Sequence, residues 1–214
     1  MSTILIFAGG TKVPLSTGDE LPGPDLVIAA DSGYQIARAL GYDVDTLIGD
    51  MDSVGPLDDI PETTSIVRFP VDKDATDLEL AFELAVREQP RRIVLVGAEG
   101  GRFDHEIGAI AMICSDRWRF VPDIDWVRSD SISHVIRDTR RIQGDPGDLF
   151  SLIPVGGDAT GVTTTGLQWE LDGATLHAGS SRGVSNILLQ TEVLIQVDDG
   201  VLLGVFPSSG VSVK

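Results

Sequence analysis

Cysteine is nearly absent. Cys114 stands alone among 214 residues, so no internal disulfide can form. With three histidines beside it, the chain offers no Cys/His cluster for zinc. Basic residues are scarce as well, 16 against 33 acidic ones, for a formal charge of −17. Such a chain lacks the basic face that a sequence-independent grip on phosphate backbones needs, so no nucleic-acid partner is expected. Long apolar runs are missing: none approaches the ~18 residues of a membrane span. The opening "MSTILIFAGG" carries a short apolar run without a basic leader and reads as a strand, not a signal peptide. The expectation is a soluble, cytoplasmic protein with no membrane partner. There is no internal repeat, no low-complexity tract and no G-x-x-x-x-G-K-[ST] loop, which excludes a P-loop kinase.

What is present is ordinary globular composition, 42% hydrophobic and 23% charged, in a chain long enough to bury a real core. The first half alternates short β-branched runs (3–8, 25–30, 45–50, 65–69, 91–98) with helical patterns at 34–41, 76–90 and 103–118. Thr76-x-x-Glu79 is a capping-box start. This alternation predicts an α/β domain with a mainly parallel sheet. Near residue 120 the texture changes to short alternating strands separated by Gly, Asp, Ser and Thr, which predicts an all-β sandwich or barrel. The expected domains are therefore 1–120 and 121–214. Cys114, within "IGAIAMICS", reads as a buried structural thiol.

Ligands of an open parallel sheet gather at the carboxyl ends of its strands. Four polar clusters follow predicted strands: "AADSGYQ", "GDMDS", "PVDKDATD" and "GAEGGRFDH". Parallel strands would let Asp31, Asp50, Asp52, Asp77 and Asp104 converge. Asp50 and Asp52 project from one face of an extended segment, and two such charges stay ionised together when a cation lies between them. Hard oxygen donors suit Mg²⁺ or Mn²⁺. Bland roles compete at every position. Asp50 and Asp52 form a solvated acidic turn, Asp31 opens a turn before Gly33, and Thr76 caps a helix with Asp77 in its first turn. Gly100 and Gly101 either serve backbone conformation or bring N–H groups to an anion, with Arg102 as a forked donor and His105 alongside. Lys73 is either a solvated lysine or a phosphate partner. Taken together the clusters suggest metal-assisted phosphoryl-type transfer.

The series "AADSG…LIGDMDS…DKDATDLELA…GGRFDH…GSSRGVSN" resembles the thiamine pyrophosphokinase family over nearly the whole chain. The resemblance implies an N-terminal α/β catalytic domain, a C-terminal β-sandwich for thiamine binding and dimerisation, and a homodimer. The implied reaction moves the pyrophosphoryl group of ATP to the thiamine hydroxyl with Mg²⁺, releasing AMP. By the same resemblance Asp50, Asp52 and Asp77 hold the metal, and Asp77, Arg102 and Asp104 serve catalysis. Asp31, Lys73, Thr76, Arg102 and His105 then bind the nucleotide. Ser185 and Asn186 help form a thiamine pocket contributed across the dimer interface, with Trp169 as an apolar wall. The first turn reads "DSGYQ" where the family often has D-G-G-A-N, and "ILLQTE" follows "GVSN" where a glycine usually returns. Two other readings stand beside this one: a DxD-type metal-dependent phosphatase with Asp50 as nucleophile, and a non-catalytic thiamine or nucleotide sensor.

Overall fold

The computed structural model describes residues 2–10, 13, 21–51, 54, 59–70 and 74–207. The chain separates into two compact units: Met1–Met112 with Trp126–Ser129, and Ile113–Asp125 with Asp130–Lys214.

In the first unit, strands β1 (Thr3–Ala8), β2 (Leu26–Ala30), β3 (Thr46–Gly49), β4 (Ser65–Arg68) and β5 (Arg92–Gly97) pair in parallel in the order β5-β1-β2-β3-β4. Ile6 is in register with Ile28 on one side and Leu95 on the other, all three fully buried. Strands covered on both faces read as unbroken apolar runs, which is why these segments show no alternation. Helix α1 (Gly33–Ala39) follows β2, α2 (Asp77–Arg87) follows β4 and α3 (Phe103–Ile113) follows β5. Helix α2 starts where Thr76 Oγ1 accepts the Glu79 N–H at 3.2 Å, and it buries Ala81, Phe82 and Ala85. The chain runs outward from β1 to β4 and then returns to the far side of β1 as β5. The β1/β5 boundary is thus the point where strand order reverses, and the crevice there is where open α/β sheets bind ligands.

The helical pattern read over 103–118 is shorter in the structure. Helix α3 ends at Ile113, and Asp116–Trp118 form a separate 3₁₀ turn. Arg137 Nη2 donates to the carbonyls of Ile113 and Ser115, and Ser115 Oγ accepts the Arg117 N–H, so the terminal groups are satisfied without continuing the helix. Ile107, in step with the helical period, is half exposed, whereas Ile113 is buried.

In the second unit two antiparallel sheets share one core. One has the order β12-β9-β14-β7, from Asn186–Ile187, Leu149–Pro154, Leu202–Pro207 and Ser131–Ile136; the other is β11-β10-β13-β8, from Ala174–Leu176, Ala159–Thr165, Glu192–Gln196 and Arg140–Gln143. Phe150, Leu152, Leu202 and Phe206 of the first sheet share that core with Ile142, Val162, Val193 and Ile195 of the second. This is the sandwich that the alternating pattern predicts. Strand β6 (Asp123–Val127) divides between the units, with Trp126 and Val127 assigned to the first. Asp125 is fully buried and accepts from His134 Nδ1 at 2.6 Å and from Arg140 Nη2, which compensates its charge. Among the described residues, no helix is long and apolar enough to cross a membrane.

Candidate active site

A cleft of about 720 Å³ opens in the first unit at the carboxyl ends of β1, β2 and β5. Ala8, Gly9 and Gly10 line it from β1, Ala30, Asp31 and Ser32 from β2, and Ala98, Glu99, Gly101 and Arg102 from β5. The first turns of α2 and α3 complete it with Thr76, Asp77, Asp104 and His105. Six of the residues expected at the site are therefore brought together: Asp31, Thr76, Asp77, Arg102, Asp104 and His105. Asp50 follows β3 and is not among the cleft's lining residues. Asp52 and Lys73 lie outside the described residues.

Asp31 performs its turn role and faces the cleft as well. Its φ is +45°, a conformation that Asp tolerates better than most residues, and its carbonyl accepts the Tyr34 N–H at the start of α1. Arg102 and Asp104 form a two-point ion pair, Nε to Oδ1 at 3.1 Å and Nη2 to Oδ2 at 2.5 Å. The hydrogen bond from Arg102 holds the Asp104 carboxyl below its ordinary range, and the same bond raises the guanidinium. Nη1 of Arg102 takes no part in that fork. Asp104 Oδ1 also accepts the His105 N–H at 3.1 Å, as a carboxylate at a helix start does.

The glycine-rich turn differs from its expected role in one respect. The Gly100 N–H donates to Glu106 Oε1 at 2.9 Å, so that amide is engaged by a carboxylate of the chain itself. Glu99, Glu106 and Arg128 form a largely buried cluster against this turn that sequence reading missed, and both carboxylates also line the cleft. Its only trace there is the pair of acids Glu99 and Glu106 on either side of "GGRFDH", with the arginine that joins them 22 residues further on.

Among the described residues six carboxylates line the cleft (Asp31, Asp77, Glu79, Glu99, Asp104 and Glu106) against one guanidinium. A polyphosphate entering such a site needs a cation with it. Among the described residues no three His, Cys, Asp or Glu side chains assemble into a metal-holding group. Oxygen donors drawn from one or two carboxylates, with substrate phosphates and water completing the shell, are nonetheless the donor set Mg²⁺ takes. The residues fit that ion in kind.

In the second unit Trp169 is 55% exposed while Asn186 is buried. Asn186 Oδ1 accepts the Trp169 N–H at 3.1 Å and the Ile187 N–H at 2.9 Å, and its Nδ2 donates to the Trp169 carbonyl at 2.8 Å. The carboxamide thus pins the backbone that carries the indole. Ser185 sits at φ +61° with its N–H donating to Ser151 Oγ.

A parallel α/β unit with a polar cleft at its reversal point, joined to an antiparallel sandwich, defines an α/β enzyme with an appended all-β module. Comparison with known proteins makes this particular. The thiamin pyrophosphokinase catalytic domain matches residues 20–120, and the thiamin pyrophosphokinase vitamin B1 binding domain matches residues 133–202. Thiamine pyrophosphokinase 1 of Oryza sativa subsp. japonica is 33% identical over 199 residues, covering 84% of this chain and 71% of that protein. Thiamine pyrophosphokinase of Bacillus subtilis is 28% identical, covering 95% of this chain and 97% of its own length. The crystal structure of a Bacillus subtilis thiamine pyrophosphokinase superposes with a TM-score of 0.85 at 26% identity, over 98% of this chain and 100% of that one. The chain belongs to the thiamin pyrophosphokinase family, an enzyme family of diphosphotransferases.

Proposed function

We propose that the chain transfers the diphosphoryl group of ATP to the hydroxyl of thiamine, giving thiamine diphosphate and AMP. The observation that carries this reading is the convergence of Asp77, Arg102 and Asp104 on one cleft at the strand-order reversal. The thiamine oxygen bonds to the β-phosphorus, the bond from that phosphorus to the α,β-bridging oxygen breaks, and AMP leaves with the oxygen. The hydroxyl proton passes to a cleft carboxylate or to water. Catalysis by positioning and charge neutralisation suffices for such a transfer.

Arg102 offers the developing charge its remaining donors while Asp104 fixes its orientation. The first turns of α2 and α3 present amide groups beside Thr76 and His105, where an anion is favoured. Asp31, Lys73, Thr76, Arg102 and His105 take the nucleotide in this reading. Asp50, Asp52 and Asp77 hold Mg²⁺, which supplies neutralisation of the phosphate charge when bound. In the second unit Ser185, Asn186 and Trp169 form the thiamine side, since an exposed indole face suits a cationic thiazolium ring. Residues 1–120 serve catalysis and 121–214 serve thiamine binding and dimerisation in a cytoplasmic homodimer.

The test is a product assay with purified chain, ATP, Mg²⁺ and thiamine, separated by chromatography. AMP and thiamine diphosphate should appear one for one and vanish with chelator. ADP with thiamine monophosphate would make it an ordinary kinase, and phosphate released without thiamine would make it a phosphatase.

A further inference from the structure

The turn that presents Arg102 to the cleft is held in an unfavourable conformation. Gly97, Ala98 and Gly100 have φ of +88°, +56° and +72°, and Ala98 has a side chain that disfavours that region. Such a turn persists only where its surroundings impose it. On one side Gly10 abuts the Glu99 backbone, where an added Cβ would come within 2.0 Å of the Glu99 carbonyl oxygen. On the other side the holder is Arg128.

Arg128 Nη1 and Nη2 each lie 3.2 Å from Glu106 Oε2, and Nη2 lies 3.4 Å from Glu99 Oε2. Glu106 in turn accepts the Gly100 N–H through Oε1, and Glu99 Oε1 accepts the Ser129 N–H. The guanidinium stacks 4.9 Å above the Trp126 ring, whose Nε1–H donates to the Gly97 carbonyl at 2.7 Å. The Arg128 side chain is 18% exposed and that of Glu99 3%, so solvent screens these charges little. One cation therefore joins both ends of the turn, through Glu99 near its start and Glu106 beyond its end.

We propose that Arg128 is a positioning residue for Arg102, acting through Glu99 and Glu106 to fix the turn at 98–102. The inference rests on the reading of the cleft as an ATP site. Without Arg128 two shielded carboxylates face each other uncompensated, and the turn shifts to relieve them.

The experiment is calorimetric titration of a non-hydrolysable ATP analogue with Mg²⁺ onto the full chain, comparing wild type with Arg128→Ala, Arg102→Ala and the double variant. Thermal melts set a temperature at which all four are folded. Arg128→Ala should weaken analogue binding about tenfold, as a displaced positioning group does, and leave thiamine binding unchanged. In the Arg102→Ala background it should add less than about twofold, because the group it positions is gone. An Arg128→Ala chain that melts lower but binds the analogue like wild type overturns the inference, and so do effects that multiply in full in the double variant. Wild type that binds the analogue yet makes no AMP with thiamine removes the proposed reaction and leaves this inference to the affinities. Wild type that does not bind the analogue removes the nucleotide reading on which the inference rests.

Discussion

A side-chain carbon on Gly49 would lie 1.7 Å from Oδ1 of Asp31. The carboxylate at the end of β2 therefore rests against bare backbone at the end of β3, where only glycine leaves room. Gly49 also sits at φ +145°, which L side chains rarely adopt. Gly49→Ala should lower stability by about 1–3 kcal/mol through overpacking, with backbone strain added. Because Asp31 lines the cleft, AMP formation should fall further than the loss of folded protein explains. A melting curve and an activity assay on the same sample decide this. Unchanged melting and activity would mean that Asp31 does not occupy this position.

The Arg102–Asp104 pair is exposed on both sides, so its value to folding is slight and its geometry is what matters. Arg102→Lys keeps a charge but replaces a planar fork with a point. Turnover should drop about 100-fold, the order seen when one transition-state donor is lost, with the melting temperature essentially unchanged. The Asp104 carboxyl, depressed by its bond from Arg102, contributes above its unfolded pKa and loses that contribution only as pH falls through the folded one. The acid limb of a pH–rate profile should accordingly move toward neutrality in Arg102→Lys. Identical profiles would show that the pair does not govern that limb.

The sheet and helices of the first unit were readable because each answers a local rule. Continuous Val/Ile/Leu runs mark strands buried on both faces, and Thr76 stands three residues before Glu79 at a helix start. The second unit was readable from its alternation. The end of α3 was not, because the group that stops it, Arg137, lies 22 to 24 residues further on. The shielded cluster was hidden for the same reason. Arg128 in "DWVRSD" looks like any surface arginine until the fold brings Glu106, 22 residues away, to 3.2 Å. The hold of Asn186 on Trp169 across 17 residues was equally invisible, since nothing local in "GVSN" points to "LQWEL".

Asn186 uses both ends of its carboxamide on the Trp169 backbone, and it is buried. Asn186→Ala removes the partner of two part-buried N–H groups, of Trp169 and Ile187, and of the Trp169 C=O, and should cost about 1–3 kcal/mol of stability. If the indole forms part of the thiamine side, KM for thiamine should rise several-fold while KM for ATP stays within about twofold, as for independent sites. The split between the two KM values is the diagnostic quantity. Equal changes in both would mean that the loop does not serve thiamine selectively.

Cys114, the residue after α3, is buried, and desolvation pushes its thiol up to about 12, against a smaller lowering by Arg137. Only the thiolate reacts, so the native chain should resist iodoacetamide at pH 8 and become labelled rapidly in denaturant. The same shift makes a statement about stability. A group whose folded pKa exceeds its unfolded value contributes fully below the unfolded value, about 8.5 for a free thiol, and loses that contribution as pH rises toward the folded one. Chemical denaturation midpoints should therefore fall from about pH 9 upward in wild type, and less steeply in Cys114→Ser, which has no group to ionise there. Rapid labelling of the native chain at pH 8, or identical alkaline slopes in the two proteins, would show that the thiol is neither sealed nor shifted as its burial implies.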